Sequence, residues 1–157
     1  MNLRFLAAIA IAQFVISGCA GTGSTTRPSA AADAVVIPLK ATPINAGKVG
    51  RVTVLPLDGN TGVLLYFTGV PWHTTMPVHV YTYIYEAACG ALPPQPAYAL
   101  NEKVLVSSYW VGGPAESLAH TSPLQMSELL SGRYSIALRS APGDGGQVIF
   151  CGELRRT

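Results

Sequence analysis

The stretch PVHVYTYIYE, Pro77 to Glu86, predicts the longest β-strand of the chain. A period of two places successive side chains on opposite faces of a strand. One face is aliphatic apart from a threonine, and it carries Val78, Val80, Thr82 and Ile84. The other face is aromatic, and it carries His79, Tyr81, Tyr83 and Tyr85. We therefore expect this strand to cover a core on one side and to present an aromatic surface on the other.

The same period-two pattern recurs on both sides of this strand, interrupted by Gly, Pro and Asp. It predicts further strands over Ala34–Leu39, Val49–Leu55, Val63–Thr68, Val104–Val111, Tyr134–Arg139 and Gln147–Leu154. DGNTG, Asp58 to Gly62, is typical of a hairpin turn because Asp, Asn and Gly tolerate positive φ. The prolines of CGALPPQP predict irregular chain, and residues 117–131 fit either a strand end or one helical turn. The expected fold class is all-β, an antiparallel β-sandwich of about seven or eight strands.

Residues 1–18 have the pattern of an export signal. FLAAIAIAQFVI, Phe5 to Ile16, spans only about 18 Å as a helix, less than the roughly 30 Å hydrocarbon core of a bilayer. It follows the cationic Arg4 and precedes a small-residue pair, which predicts a signal peptide. Ile16-Ser17-Gly18-Cys19 resembles the lipobox of bacterial lipoproteins. The alternative is an ordinary signal peptide followed by a chance cysteine.

The lipoprotein resemblance implies how the mature chain is held. Cleavage before Cys19 makes it the first residue, with a diacylglycerol on its sulfur, and two or three acyl chains such as palmitate give stable membrane attachment. Ala20, where Asp commonly retains a lipoprotein in the inner membrane, implies the outer membrane, facing the periplasm. The small polar residues 19–33 predict a flexible tether, which leaves residues 34–157 for one sandwich domain.

The cysteines predict a disulfide once Cys19 is assigned to the lipid. Of three cysteines in the chain, Cys89 and Cys151 then remain. Exported proteins meet an oxidising compartment, so one intramolecular bridge between these two is expected, with free thiols as the alternative. A zinc site is less favoured, because two cysteines and three scattered histidines lack the usual ligand spacing.

LLSGRYSIALRSAPGDGGQVIFCGEL, Leu129 to Leu154, resembles the last two strands of copper/zinc superoxide-dismutase-like sandwiches. In that family the final cysteine bridges to one just after the metal-bearing strand. Cys89 follows the strand over Pro77–Glu86, so this resemblance implies the same pairing with Cys151. The shorter LLSGRY resembles the tyrosine corner of immunoglobulin-like sandwiches, which implies a hydrogen bond from the Tyr134 hydroxyl to upstream backbone.

The sequence lacks the motifs of the common catalytic and metal sites. The superoxide-dismutase metal strand carries two imidazoles spaced by one residue, whereas this strand offers His79 alone. A zinc site from His73, His79 and His120 is an open alternative to surface or edge histidines. Neither a Gly-x-Ser-x-Gly elbow nor a phosphate-binding glycine loop occurs. The net charge of +2 comes without a basic stripe, which excludes a typical nucleic-acid binder. We expect no catalytic residues, metal site or cofactor.

The aromatic face is the candidate binding surface. Its members are His79, Tyr81, Tyr83 and Tyr85, with further aromatics expected near them: Tyr66, Trp72, Tyr98, Tyr109 and Trp110. Aromatic rings with polar tips suit carbohydrate or protein partners, although tyrosines also cover half-exposed sheets. The sequence thus predicts a lipid-anchored, non-catalytic envelope protein that acts as a binding or structural module. The alternative function is a metal-dependent enzyme of superoxide-dismutase-like descent.

Overall fold

The computed structural model describes residues 33–108 and 115–156, which form an all-β protein. The strands are β1 Val35–Ala41, β2 Gly50–Leu57, β3 Asn60–Phe67, β4 Val78–Tyr85, β5 Tyr98–Ala99, β6 Leu105–Ser107, β7 Glu116–Ser122, β8 Ser131–Ser140 and β9 Val148–Arg155. One helical turn, α1 Met126–Leu129, lies between β7 and β8, so the ambiguous stretch 117–131 contains both a strand and a helical turn. Among these described residues, no helix is long and apolar enough to span a membrane.

The strands pair antiparallel in one continuous sheet. Their order is β5-β4-β8-β9-β1-β2-β3-β7, and β6 pairs with the other part of the β4 edge. The sheet curls until its two ends approach each other and nearly closes into a barrel. At this closure Ser107 of β6 donates a 2.6 Å hydrogen bond to the carboxylate of Glu116 of β7. The prediction of an all-β antiparallel fold is confirmed. The prediction that the strand over Pro77–Glu86 is the longest is wrong, because β8 has 10 residues and β4 has 8.

β1 connects the two halves of the sheet because it changes partner along its length. Its first five residues pair with β2, and its last two pair with β9. Pro38 lies near this change and has no N–H to donate to a ladder. Gly152 of β9 faces the same point, where an added Cβ would lie 2.6 Å from Leu39 Cδ2 and 3.1 Å from the Pro38 carbonyl oxygen. A residue without a side chain at position 152 therefore allows the close crossing of β1 and β9.

The β2–β3 hairpin turns at Asp58 and Gly59, whose φ angles are 36° and 83°. Leu57 pairs with Asn60 across this two-residue loop. Positive φ at both central positions is the reason that Asp-Gly favours such turns. The DGNTG prediction is confirmed, but the turn is tighter than the five-residue motif, because Asn60–Gly62 already belong to β3.

The core lies inside the curled sheet and follows the alternation of the strands. Val63, Leu65 and Phe67 of β3 are at most 2% exposed, as their shared face predicts. Tyr134 is buried as well, with its hydroxyl 3.4 Å from the carboxylate of Glu128. The partner is thus a side chain of α1 rather than upstream backbone, so the structure differs from the tyrosine corner at this point.

Candidate functional site

The outer face of β4 keeps most of its predicted aromatic surface. The side chains of Val78, Val80, Thr82 and Ile84 face the interior and are at most 3% exposed. His79, Tyr81 and Tyr83 point to the other side and are half-buried. Tyr85 belongs to the same face by position but is fully buried. The accessible part of the predicted face is therefore shorter than the sequence pattern indicates, and it ends at Tyr83.

A disulfide explains the burial of Tyr85. Cys89 and Cys151 are bonded, with their Cα atoms 5.8 Å apart and a sequence separation of 62. The bridge holds the segment after β4 over the outer face, where Tyr85, Ala137 and Cys151 form a small buried cluster. The predicted disulfide is confirmed. Its effect on the site was not predicted, because a period-two pattern does not show which segments cover a sheet.

Arg139 is the charged residue on this face, and sequence reasoning did not select it. It lies on β8 directly opposite Tyr81. Its Nε donates a 2.7 Å hydrogen bond to the Gly146 carbonyl oxygen, and its Nη1 donates a 2.8 Å hydrogen bond to the Tyr85 hydroxyl. No carboxylate in the described residues forms an ion pair with it. The guanidinium is thus half-buried and held by neutral acceptors.

The alternation of β8 contained a signal for Arg139. Period-two alternation from the apolar Tyr134, Ile136 and Leu138 predicts an inward face for these three and places Arg139 on the outward face. That pattern does not say which strand lies beside it. Only the pairing of β8 with β4 brings the guanidinium to the tyrosines.

An open cleft of about 350 Å³ lies between this face and the turn that follows β8. It is lined by Tyr83, Arg139, Ser140, Pro142, Gly145 and Gly146. Asp144 of the same turn is not among the lining residues, and its Oδ1 accepts hydrogen bonds from the backbone N–H and hydroxyl of Thr75. The cleft therefore combines one aromatic ring, one cation and exposed main chain.

The other predicted aromatics that the structure describes, Tyr66, Trp72 and Tyr98, do not join this face. Tyr66 lies on β3, in the other half of the sheet, with its ring centroid 4.4 Å from the Arg51 guanidinium carbon. Trp72 is 82% exposed and contacts His73 edge-on. Tyr98 lies on β5, beside Ile84, and packs partly against the core. Tyr109 and Trp110 lie outside the described residues.

The three histidines are not brought together as metal ligands. His73 follows the exposed Trp72, His79 is on the outer face of β4, and the His120 side chain is 0% exposed. In residues 33–108 and 115–156 no three side chains of His, Cys, Asp or Glu form a group that could hold a metal ion. His120 does lie on an edge strand, because β7 ends the sheet order, but it is not a surface histidine, since its side chain points into the interior.

His120 forms a hydrogen-bonded row with a carboxylate and a hydroxyl. Its Nδ1 lies 3.2 Å from Glu102 Oε1, and its Nε2 lies 3.1 Å from Thr82 Oγ1. Burial holds the pKa of His120 below its ordinary value and outweighs the attraction of Glu102. The neutral imidazole therefore donates a hydrogen bond from Nδ1 to Glu102, and its Nε2 accepts a hydrogen bond from the Thr82 hydroxyl. Although this order of groups matches a nucleophile–base–acid row, the Thr82 side chain is buried, at 1% exposed.

Cys19, the predicted lipidation residue, lies outside the described residues, as do the signal peptide over 1–18 and nearly all of the tether over 19–33. Comparison of the chain with protein-family models, with curated proteins and with solved structures found no match.

Proposed function

We propose that the protein is a lipid-anchored, non-catalytic binding module of the bacterial envelope. In this proposal Cys19 carries the lipid, the outer membrane holds the anchor, and the tether presents the domain in the periplasm. The lipobox resemblance of Ile16–Cys19 supports the anchor. Small residues without apolar periodicity after it suit a flexible spacer.

The outer face of β4 and β8 is the observation that carries the binding role. Tyr81 and Tyr83 are half-buried, and Arg139 lies opposite Tyr81 with its guanidinium fixed by two hydrogen bonds. Half-buried rings beside an oriented cation are typical of recognition surfaces. The disulfide braces this face, so little ordering entropy would be lost on binding. The partner is a glycan or protein of the envelope.

We extend the proposal to the type of β-fold that the domain adopts. We assign the domain to the β-sandwiches, of superoxide-dismutase-like or immunoglobulin-like type. The change of partner within β1 supports this assignment, because strands that switch sheets form the corners of sandwiches. The bridge from the segment after β4 to the last strand supports the superoxide-dismutase-like type in particular.

A photo-crosslinking experiment in intact cells tests the binding role. A benzophenone amino acid is placed at Tyr81 of the full chain, and at Tyr66 as the control. Both positions are half-buried tyrosines on strands, but they lie in different halves of the sheet. We expect discrete adducts from position 81 and none from position 66. Adducts of the same kind and yield from both positions, or none from position 81, would contradict the proposal.

A further inference from the structure

We infer that the cleft beside Arg139 binds the carboxylate of an acidic sugar, with the sugar ring against Tyr83. This inference rests on the proposed binding role and names the ligand class of that face. The ligand would be a monosaccharide unit of the uronic-acid type, alone or within a longer chain. Its carboxylate would face the guanidinium, and its hydroxyl groups would face the main chain of the turn over 142–146.

The charge of Arg139 is the first argument. A guanidinium has five N–H donors. Nε and Nη1 each donate once to a neutral oxygen, so 5 − 2 = 3 donors remain. Carboxylates take up such donors in paired, parallel hydrogen bonds. The guanidinium is half-buried and has no carboxylate partner among the described residues. An anion that enters the cleft would therefore stabilise its charge.

The position of the cleft is the second argument, and it favours a sugar over a peptide. Extended peptides add to free sheet edges, whereas Tyr83 and Arg139 lie on strands paired on both sides, β4 and β8. The volume of about 350 Å³ is near the lower end of the range of small-ligand sites. The tyrosine ring offers an apolar face for a sugar ring. The N–H groups of Gly145 and Gly146 already donate within the turn, and the Gly146 carbonyl accepts from Arg139, so the acceptor for a sugar hydroxyl is the carbonyl oxygen of the exposed Gly145.

Calorimetric titration of the full-length protein in detergent tests the inference with two matched probes. Methyl β-D-glucuronide and methyl β-D-glucoside share the ring and differ in the carboxylate. We expect the glucuronide to bind at least about tenfold more tightly, which is the effect of one charge-assisted contact. Arg139→Gln should abolish this preference. Arg139→Lys should keep only part of it, because an ammonium group cannot form the two parallel hydrogen bonds that a guanidinium forms with a carboxylate.

Arg51→Gln is the matched control, because Arg51 also lies beside a tyrosine but in the other half of the sheet. It should leave the preference for the glucuronide unchanged. Arg139 also bonds the turn and Tyr85, so a second variant is needed in case Arg139→Gln disturbs folding. Tyr83→Ala should weaken the binding of both probes, and added salt should weaken glucuronide binding to the wild type.

Three results would overturn the inference. They are equal affinity for the two sugars, no measurable binding of the glucuronide, and tighter binding of the peptide carboxylate acetyl-alanyl-alanine than of the glucuronide. If one of these occurs while position 81 still gives discrete crosslinks in cells, the ligand class is wrong and the proposed binding role stands. If the crosslinks also fail, the proposed function fails with it.

Discussion

His120 Nε2 lies 3.1 Å from the Thr82 hydroxyl, and this contact joins β7 to β4 across the gap between the two ends of the sheet. The imidazole is fully buried and also bonds Glu102, whose loop is tied to β4 through Asn101. A neutral histidine thus bridges strands that do not pair through their backbones. We expect protonation of this histidine to weaken the contact between the two ends of the sheet.

We predict that the free energy of unfolding falls as the pH drops below about 6.5. Burial, opposed by Glu102 and assisted by Lys103, lowers the pKa of folded His120 below the ordinary 6.5. As the pH falls, the histidine of the unfolded chain is therefore protonated before that of the folded chain. The contribution of neutral His120 to the free energy of unfolding is complete above pH 6.5, and it is lost as the pH falls through the folded pKa. One proton limits the slope to about 1.4 kcal/mol per pH unit.

Urea denaturation between pH 8 and pH 5 measures this slope. His120→Gln should flatten it, whereas His79→Gln, on the outer face of β4, should keep it. Burial raises the pKa of Glu102, but hydrogen bonds from its own backbone N–H, from His120 and from the Thr121 backbone together hold that pKa below 4.5. The contribution of ionised Glu102 to the free energy of unfolding is therefore lost only as the pH falls below 4.5. An unchanged slope in His120→Gln would contradict the assignment to His120.

Reduction of the Cys89–Cys151 bridge should destabilise the domain. The closed loop spans 62 residues, for which the chain-entropy relation gives about 4 kcal/mol. That is a large part of the roughly 5–15 kcal/mol that holds a domain together. Thermal melts with and without reductant should differ by about 10 °C or more. The double variant Cys89→Ala, Cys151→Ala should melt like the reduced protein and should not respond to reductant.

Gly152→Ala should destabilise the crossing of β1 and β9. The new Cβ would meet Leu39 Cδ2 at 2.6 Å and the Pro38 carbonyl oxygen at 3.1 Å. Leu39 is buried and the carbonyl belongs to the backbone, so the strain should cost about 1–3 kcal/mol. Gly143→Ala is the control, since nothing lies within 4 Å of an added Cβ there. Denaturation midpoints of the two variants test this, and equal midpoints would show that the crossing tolerates a side chain.

Cys19→Ser should abolish lipidation and leave the uncleaved precursor. The expectation follows from the lipobox resemblance of Ile16–Cys19, in which the cysteine sulfur carries the lipid. Mass spectrometry of the wild-type amino terminus should show an acylated cysteine, and labelled palmitate should be incorporated in the wild type alone. A wild-type chain that is cleaved but carries no acyl group would instead indicate an ordinary signal peptide.

Metal analysis separates the binding module from the metal-dependent enzyme. We expect no stoichiometric copper or zinc after purification, because His73, His79 and His120 are not gathered into a ligand group. Protein dialysed against copper and zinc salts should release the metal to a weak chelator. Tight retention of one metal ion per chain would refute the non-catalytic proposal.

The sequence by itself determined the elements that depend on local chemistry. The alternation of Val78 to Ile84 predicted an inward aliphatic face, and Asp58-Gly59 predicted a hairpin through its positive φ angles. The count of cysteines, with Cys19 assigned to a lipid, predicted the bridge from Cys89 to Cys151. Each of these features is a property of a short segment or of composition, and a linear pattern can carry it.

Only the tertiary structure decided which strands lie side by side and which segments cover them. Tyr85 is buried because the disulfide-bound segment covers it, and Arg139 joins the tyrosines because β8 pairs with β4. His120 is interior because the sheet curls until β7 approaches β4. Period-two alternation assigns a side chain to one of two faces, but strand order and curvature arise from contacts distant in sequence. The candidate site depends on those contacts, so the sequence alone did not assign Arg139 to it.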